Sequence, residues 1–190
     1  DYVRVYDKIS MALAYTFPTV SGPSEGITVL NDTAYVAVQG SYPYIGGKIA
    51  VLDLAGMALN REIDLDTLGK SINRIVNDGS SVYAVSGIGF GSSYGVINEV
   101  EVATGAVTNH ILNFTLGGGT AVYDDLFYLY FNGALGTFDV STSAAANTAI
   151  VPGSWVAAAI DTVADQYYLT ESDFFSYGKL KVFSSAGVAI

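Results

Sequence analysis

The sequence contains no cysteine, one histidine, and eight basic residues against eighteen acidic ones. Without cysteine the chain forms no disulfide, holds no metal through thiolates and has no cysteine nucleophile. A single histidine also excludes His-rich metal sites and Cys–His nucleophilic pairs within these residues. The net charge of -10 disfavours nucleic acid and anionic lipid headgroups as partners, because phosphates repel an acidic surface.

Long apolar runs and helical patterns are also scarce. No segment reaches the roughly 18 apolar residues of a spanning helix, and these residues do not open on the charged and then apolar stretch typical of a signal peptide. Because "DYVRVYDKIS" already alternates like a strand, we expect the sequence to begin within a mature protein. The best helical segment is Leu65–Ile75, which Gly69 interrupts. Abundant instead are 14 tyrosines, 9 phenylalanines and 21 glycines, which suit strands joined by turns.

One apolar strand pattern recurs along the chain. "TAYVAVQG" returns as "SSVYAVSG", "DLFYLYFNG" and "DQYYLTESD", at a period of about 40–48 residues. A short strand and a polar turn precede each copy, and further strands follow it. We label the four strands of a unit a, b, c and d. Four short strands at this period predict the blade of a β-propeller.

The repeats predict an all-β fold, with about four and a half four-stranded antiparallel blades in a single domain, 1–190. The predicted blade pieces are approximately residues 1–20, 26–66, 72–114, 118–151 and 156–190. Since a closed propeller commonly needs six to eight blades, we expect these residues to be part of a longer chain that forms a larger ring. A five-bladed ring whose first and last strands meet is the rival, and a β-sandwich is the alternative architecture.

The stretch "AYVAVQGS…GGKIAVLDLAGMALNREIDL…INRIVNDGSSVYAVSG" resembles the YncE-like seven-bladed β-propellers. Several bacterial surface lipoproteins share this pattern, among them the cobalamin-capturing BtuG proteins on outer-membrane transporters. The resemblance implies a cell-surface, extracellular or periplasmic protein that binds a small-molecule ligand or an outer-membrane protein and has no catalytic role. The lipid-anchoring cysteine of such lipoproteins is absent from these residues.

Few side chains suggest catalysis. His110 stands alone on a predicted strand d, where a packing role competes with a Ser-His-Asp triad, and no nucleophile-elbow pattern supports the triad. Four acids occupy matching places before the c–d turns, which favours a repeated turn device over a ring of catalytic acids. These acids are Asp7, Asp53, Glu101 and Asp139.

Other acids fall at turns or near the C-terminal end. Asp124 and Asp125 form an a–b turn and are expected to serve its geometry. Asp161, Asp165, Glu171 and Asp173 carry oxygen ligands of the kind that calcium prefers. No calcium-loop motif accompanies them, so we predict no metal site. We also predict no catalytic residue and no cofactor.

Aromatic residues are concentrated in the b–c and d–a connections, which share one face of a propeller. Because loop tyrosines and tryptophans are enriched at recognition sites, this face is predicted to bind a ligand or partner. The alternative is that the rings pack between blades, which is equally favoured for Phe131 and Phe175. The predicted ligand-binding residues are Tyr42, Tyr44, Phe90, Tyr94, Trp155, Phe174 and Tyr177.

The sequence therefore favours a non-enzymatic binding propeller. A propeller enzyme of the lactonase or lyase kind is one alternative, although such enzymes place acids or histidines around a metal. A structural or adhesion module is the other alternative.

Overall fold

The structure is a computed structural model that describes residues 2–17, 20–42, 44–72, 74–86, 94–131, 134–171 and 178–190. These residues form seventeen β-strands and one 3-10 turn. They divide into two compact units, Asp1–Leu112 and Asn113–Ile190. In the part of the chain that is described, no helix is long and apolar enough to cross a membrane.

The first unit contains three antiparallel sheets whose strands pair in chain order. Sheet 1 has two strands, β1 (Arg4–Tyr6) and β2 (Leu13–Thr16). Sheet 2 has four strands, β3 (Ser24–Leu30), β4 (Thr33–Val38), β5 (Lys48–Asp53) and β6 (Ala58–Asp64). Sheet 3 also has four, β7 (Arg74–Asn77), β8 (Ser81–Ser86), β9 (Gly95–Glu101) and β10 (Val107–Leu112).

The second unit contains two antiparallel sheets, again paired in chain order. Sheet 4 consists of β11 (Leu116–Tyr123), β12 (Leu126–Phe131), β13 (Ala134–Asp139) and β14 (Ala144–Pro152). Sheet 5 consists of β15 (Ala157–Asp161), β16 (Gln166–Glu171) and β17 (Lys179–Ser184). The predicted all-β fold of four-stranded antiparallel sheets is therefore confirmed.

The second strand of sheet 2 explains why the b-strand pattern is almost continuously apolar. Ala34, Val36 and Val38 of β4 lie in a core shared with Val3 and Val5 of sheet 1. The alternate residues, among them Tyr35 and Ala37, lie in a second core with sheet 3. A strand buried on both faces needs apolar side chains at every position, so simple alternation of apolar and polar residues disappears.

The second unit has its own core, built from sheets 4 and 5. Tyr128, Leu135 and Leu169 are among its buried residues. The rings of Tyr128 and Tyr167 lie 5.9 Å apart between centroids. Burial, together with the neighbouring Tyr128, raises the pKa of Tyr167 to about 12. Phe131 is buried and stacks edge-on against Phe114 at 4.6 Å, so it packs rather than lining a loop surface.

The c–d turns share one hydrogen-bonding device. In Asp7, Asp53 and Asp139, one carboxylate oxygen accepts hydrogen bonds from the backbone N–H groups two and three residues later, at 2.7 to 3.1 Å. Glu101 accepts a bond from the hydroxyl of Thr104 at 2.5 Å instead. The predicted turn role of these four acids is confirmed.

The same turns share a backbone conformation. The residue four places after each acid has a positive φ, with values of 58°, 52°, 76° and 57°. These residues are Met11, Met57, Gly105 and Ser143. Glycine adopts this conformation at little cost, whereas the other three are strained. The shape of the turn is therefore kept even where its most suitable residue is missing.

Two further segments test sequence expectations. Asp124 and Asp125 have φ values of 47° and 61° in the two-residue turn between β11 and β12. Positive φ at both positions is the type I′ arrangement that suits a hairpin, which confirms their turn role. Leu65–Ile75, the best helical candidate, forms only a short 3-10 turn at Asp66–Leu68, as its interruption by Gly69 suggested. The Gly69 N–H still donates to the Leu65 carbonyl at 2.9 Å, and backbone bonds to another loop, described below, hold other residues of the segment.

Candidate functional site

The b–c connection of sheet 2 forms the most exposed aromatic feature among the described residues. We call residues 39–47 the tyrosine loop; Pro43 lies outside the described residues. The N–H of Tyr44 donates to the carbonyl of Ser41 at 2.6 Å, which closes a turn. Tyr44 has a φ of 67°, a left-handed conformation that costs a tyrosine on the order of 1–3 kcal/mol. Such strain persists only where surrounding contacts impose it.

Backbone contacts impose this conformation. The segment at residues 65–72 runs beside the tyrosine loop and exchanges hydrogen bonds with it. Ser71 N–H donates to the Tyr44 carbonyl at 2.8 Å, and Gly47 N–H donates to the Gly69 carbonyl at 2.8 Å. In return, Leu65 N–H donates to the Gly47 carbonyl at 3.1 Å. We call residues 65–72 the backing segment, because they fix the loop from behind.

Glycine is required at two points of this arrangement. A Cβ on Gly40 would collide with the backbone carbonyl of Ile45. A Cβ on Gly47 would collide with the Gly69 carbonyl and lie 2.5 Å from Cδ1 of Ile72. Both contacts are shorter than real Cβ atoms allow, so close backbone approach depends on the missing side chains.

The fixed backbone presents two tyrosine rings to solvent. Tyr42 is 85% exposed and Tyr44 is 44% exposed. Their centroids lie 5.7 Å apart at an interplanar angle of 81°, the favourable edge-to-face geometry. The neighbouring Ile45 is 47% exposed. These three side chains form an apolar ridge on an otherwise acidic chain, a surface able to pack against a flat or apolar ligand.

An ion pair lies at the base of the loop. Lys48, the first residue of β5, contacts Glu62 at 3.3 Å, and Ser21 N–H donates to the other oxygen of that carboxylate at 2.9 Å. Burial alone would raise the pKa of Glu62, but the bonds from Ser21 and Lys48 outweigh it and lower the pKa below its ordinary value of 4.5. Lys48 is therefore already paired with Glu62 and does not offer a free positive charge to a ligand at the ridge.

The structure brings together Tyr42 and Tyr44 of the predicted site residues. Tyr94 lies on the corresponding connection of sheet 3, directly before β9, and is 41% exposed. Three predicted residues lie outside the described residues, namely Phe90, Phe174 and Tyr177.

Trp155 requires a correction. The sequence placed it on a binding loop, yet it is only 8% exposed and belongs to the core of the second unit. Its indole N–H donates to the Val151 carbonyl at 3.0 Å, and its ring meets Phe183 edge-on at 5.5 Å. A ring with a satisfied N–H and aromatic neighbours serves packing, so Trp155 is not part of the candidate site.

Sequence reasoning missed Ile45 and the backing segment. Ile45 follows Tyr44 directly, and its exposure extends the apolar ridge by one residue. The backing segment has a usable signal in Gly69, which does more than interrupt a helical pattern. A pair of glycine-containing loops separated by two strands indicates that their backbones can approach closely.

A polar row on sheet 3 is a second cluster of interest among the described residues. Glu99 accepts from the Ser81 hydroxyl at 3.1 Å and contacts Nε2 of His110 at 2.8 Å. In a nucleophilic triad the histidine stands between the serine and the acid, whereas here the acid stands between them. The Tyr83 hydroxyl donates to Asp78 at 2.7 Å. The row therefore ties neighbouring strands together and lacks the order of a triad.

The acids suspected of calcium binding are engaged separately. Asp161 accepts bonds from two backbone N–H groups of its own turn, and Asp165 bonds to Ser185. Glu171 pairs with Lys181 at 2.8 Å, and Asp173 lies outside the described residues. Across the ranges that the structure describes, no three His, Cys, Asp or Glu side chains are grouped to hold a metal.

Comparisons with known proteins show the fold. No protein-family model matches the chain, and no curated protein does either. Among solved structures, it is similar to Kuenenia stuttgartiensis hydrazine synthase, with a TM-score of 0.72 and 19% identity over 89% of this chain. A quinoprotein alcohol dehydrogenase-like protein from Bacteroides thetaiotaomicron has a TM-score of 0.72 and 16% identity over 100% of this chain. The Dos1 propeller gives a TM-score of 0.62 and 10% identity over 86%.

These neighbours are β-propeller proteins, and the chain has the fold of a partial β-propeller. It spans 55%, 50% and 43% of the lengths of the three neighbours. At identities below 20% the likeness concerns the fold alone, because one propeller scaffold hosts many unrelated functions.

Proposed function

We propose that this protein is a non-enzymatic binding propeller of the cell surface or periplasm, which captures a ligand or docks on an outer-membrane partner through the tyrosine loop. The observation that carries the proposal is the Tyr42–Tyr44 pair: two solvent-exposed rings on a backbone that is fixed by the backing segment. A fixed loop loses little conformational freedom on binding, so its exposed apolar area is available for affinity.

The resemblance to YncE-like propellers supplies the candidate partners. Ligand capture of the BtuG kind, lipid anchoring and an outer-membrane location are parts of this proposal. An acidic chain with an exposed aromatic ridge is suited to a neutral, ring-rich ligand or to an apolar patch on a protein.

The test is a calorimetric titration with cyanocobalamin, the ligand class that the resemblance implies. We expect saturable binding to the wild type and at least a tenfold weaker affinity in the double variant Y42A/Y44A. Tyr123→Ala is the matched control, because Tyr123 is 44% exposed, as Tyr44 is, and lies beside an a–b turn. Both variants should melt within a few degrees of the wild type, since exposed side chains contribute little to stability.

A separate experiment tests docking on a protein partner. Solubilised outer-membrane proteins are passed over the immobilised wild type, Y42A/Y44A and Y123A. Retention that is lost in the double variant alone supports docking through the tyrosine loop. Equal behaviour of the three proteins in both arms would exclude the tyrosine loop as the binding surface. Metal analysis of the purified protein separately tests the enzyme alternative.

A further inference from the structure

The tyrosine loop is supported on a second side by the connection between β2 and β3. We call residues 20–23 of this connection the leading segment. Gln39, the first residue of the tyrosine loop, donates its N–H to the Pro23 carbonyl at 2.8 Å. A Cβ on Gly22 would collide with the carbonyl oxygen of Gln39, so the two backbones approach as closely as glycine permits. The tyrosine loop therefore begins against the leading segment and ends against the backing segment.

One charged side chain attaches the leading segment to sheet 2. Glu62 lies on β6, and one of its carboxylate oxygens accepts from the Ser21 N–H at 2.9 Å. Its other oxygen contacts the ammonium of Lys48 at 3.3 Å, and the Glu62 side chain is only 19% exposed. An ionised acceptor makes a stronger hydrogen bond than a neutral one. Because Val20 is buried in the core between sheets 1 and 2, the carboxylate bond fixes the residue that follows a buried anchor.

The matching position of sheet 3 has a different side chain with a different partner. Glu62 lies opposite Ala50 in sheet 2, and Asn109 lies opposite Asn98 at the corresponding place in sheet 3. Asn109 accepts a bond from the Asn98 amide at 2.7 Å, so it bonds within its own sheet and not to a preceding connection. The attachment through Glu62 is therefore not shared by the two blades, and it occurs in the blade that carries the exposed tyrosines.

We propose that Glu62 is a positioning residue of the tyrosine loop: its carboxylate holds the leading segment against Gln39 and so sets the direction in which the loop leaves β4. This role rests on the proposed function, since it concerns the support of the loop that is proposed to bind. A loop fixed on both sides presents the rings of Tyr42 and Tyr44 in one orientation, and it loses little conformational entropy on binding. Release of the leading segment should therefore weaken binding although both rings are still present.

Amide hydrogen exchange tests the attachment without a ligand, because an amide exchanges faster when its hydrogen bond opens more often. In Glu62→Ala, the amides of Ser21 and Gln39 should both exchange about tenfold faster than in the wild type. Glu62→Gln keeps an acceptor oxygen for Ser21 and should restore most of the protection. The Ser71 amide, which donates to the Tyr44 carbonyl, should change little, because the backing segment is intact. Faster exchange of Ser21 alone, or equal acceleration of all three amides, overturns the proposal.

Affinity for cyanocobalamin, measured by calorimetric titration, tests the consequence for binding. Glu62→Ala should bind about threefold more weakly, and Glu62→Gln should bind like the wild type. Glu171→Ala is the matched control, because it removes a Lys–Glu ion pair of the second unit and should change neither the affinity nor the exchange of Gln39. Wild-type affinity in Glu62→Ala overturns the positioning role. If the wild type does not bind cyanocobalamin, that ligand is wrong, and the exchange of Gln39 still decides whether Glu62 positions the loop.

Discussion

The c–d turns and the tyrosine loop solve the same problem, reversal of the chain between two strands, by different means. Each of three turns is held by an aspartate that bonds to N–H groups of its own turn. The tyrosine loop is held by the backbone of the backing segment, through bonds between residues 18 to 27 positions apart in the chain. Local bonds recur from sheet to sheet because they need only local sequence. A loop held in this way occurs once among the described residues, and it carries the exposed rings of Tyr42 and Tyr44.

The comparison suggests how to distinguish a structural repeat from a functional site. A feature that recurs with the same bonds in several blades is explained by folding. A strained residue such as Tyr44, held by distant contacts and close to exposed apolar groups, does not recur in this way, and it is therefore the basis of the proposed binding site.

The largest expected effect comes from breaking the contact between the tyrosine loop and the backing segment. Gly47→Ala places a Cβ against the Gly69 carbonyl and Ile72, so the two segments must separate. We expect the free energy of unfolding to fall by about 3 kcal/mol, measured by urea denaturation. Gly46→Ala is the control, because Gly46 has a φ of 72° but open space around it; it should cost only about 1 kcal/mol. Equal losses would show that the close contact is unimportant.

Removing the local bonds of a c–d turn should have a smaller effect. Asp53→Ala deletes the acceptor for Ala55 N–H and Gly56 N–H, both at 2.9 Å. We expect a loss of about 1–2 kcal/mol in the free energy of unfolding, comparable to the loss of a helix N-cap. Asp53→Asn keeps an acceptor oxygen and should recover most of the loss. If asparagine and alanine are equally destabilising, the hydrogen bonds are not what fixes this turn.

Relieving strain in a turn should stabilise the protein slightly. Ser143 is exposed and has a φ of 57°, at the position where the third sheet has Gly105. Ser143→Gly should raise the free energy of unfolding by about 0.5–1 kcal/mol, as measured by thermal or urea unfolding. Ser143→Ala keeps the strain and serves as the control. A destabilised glycine variant would contradict the assignment of strain at this position.

The smallest effect concerns pH. The hydroxyl of Ser141 and the N–H of Thr142 lower the pKa of Asp139 below its ordinary value of 3.8. A carboxyl whose pKa is lower when folded stabilises the protein above pH 3.8, and this stabilisation is lost as the pH falls through the folded-state pKa. Asp139→Asn should therefore lose less stability than the wild type on acidification, in urea titrations between about pH 5 and pH 2.5. An unchanged pH profile would show that this carboxyl does not contribute.

Much of the fold was predictable because its signals are local. Alternation and turn residues predict β4 and β5 correctly, and the recurring acids such as Asp53 mark the c–d turns. The exposure of Tyr42 also followed from its position between glycines and serine. These features depend on period-2 patterning and on bonds within a few residues.

Burial of loop residues could not be read in the same way. Trp155 has the sequence context of an exposed loop, yet Phe183, distant in the sequence, covers its ring. The segment beginning at Leu65 is the best helical candidate in the sequence, yet it forms only one short turn, and the Leu65 N–H and the Gly69 carbonyl bond to Gly47. In both cases the partner comes from another strand or loop, which no local pattern specifies.

The sequence by itself determined the strands, their grouping in fours and the chemistry of the short turns, because side-chain alternation and hydrogen bonds within a turn act over a few residues. Only the tertiary structure decided which aromatic rings face solvent and which are buried. Those outcomes depend on which distant backbones meet, as Gly47 and Gly69 do, and close packing between remote segments is a property of the whole fold.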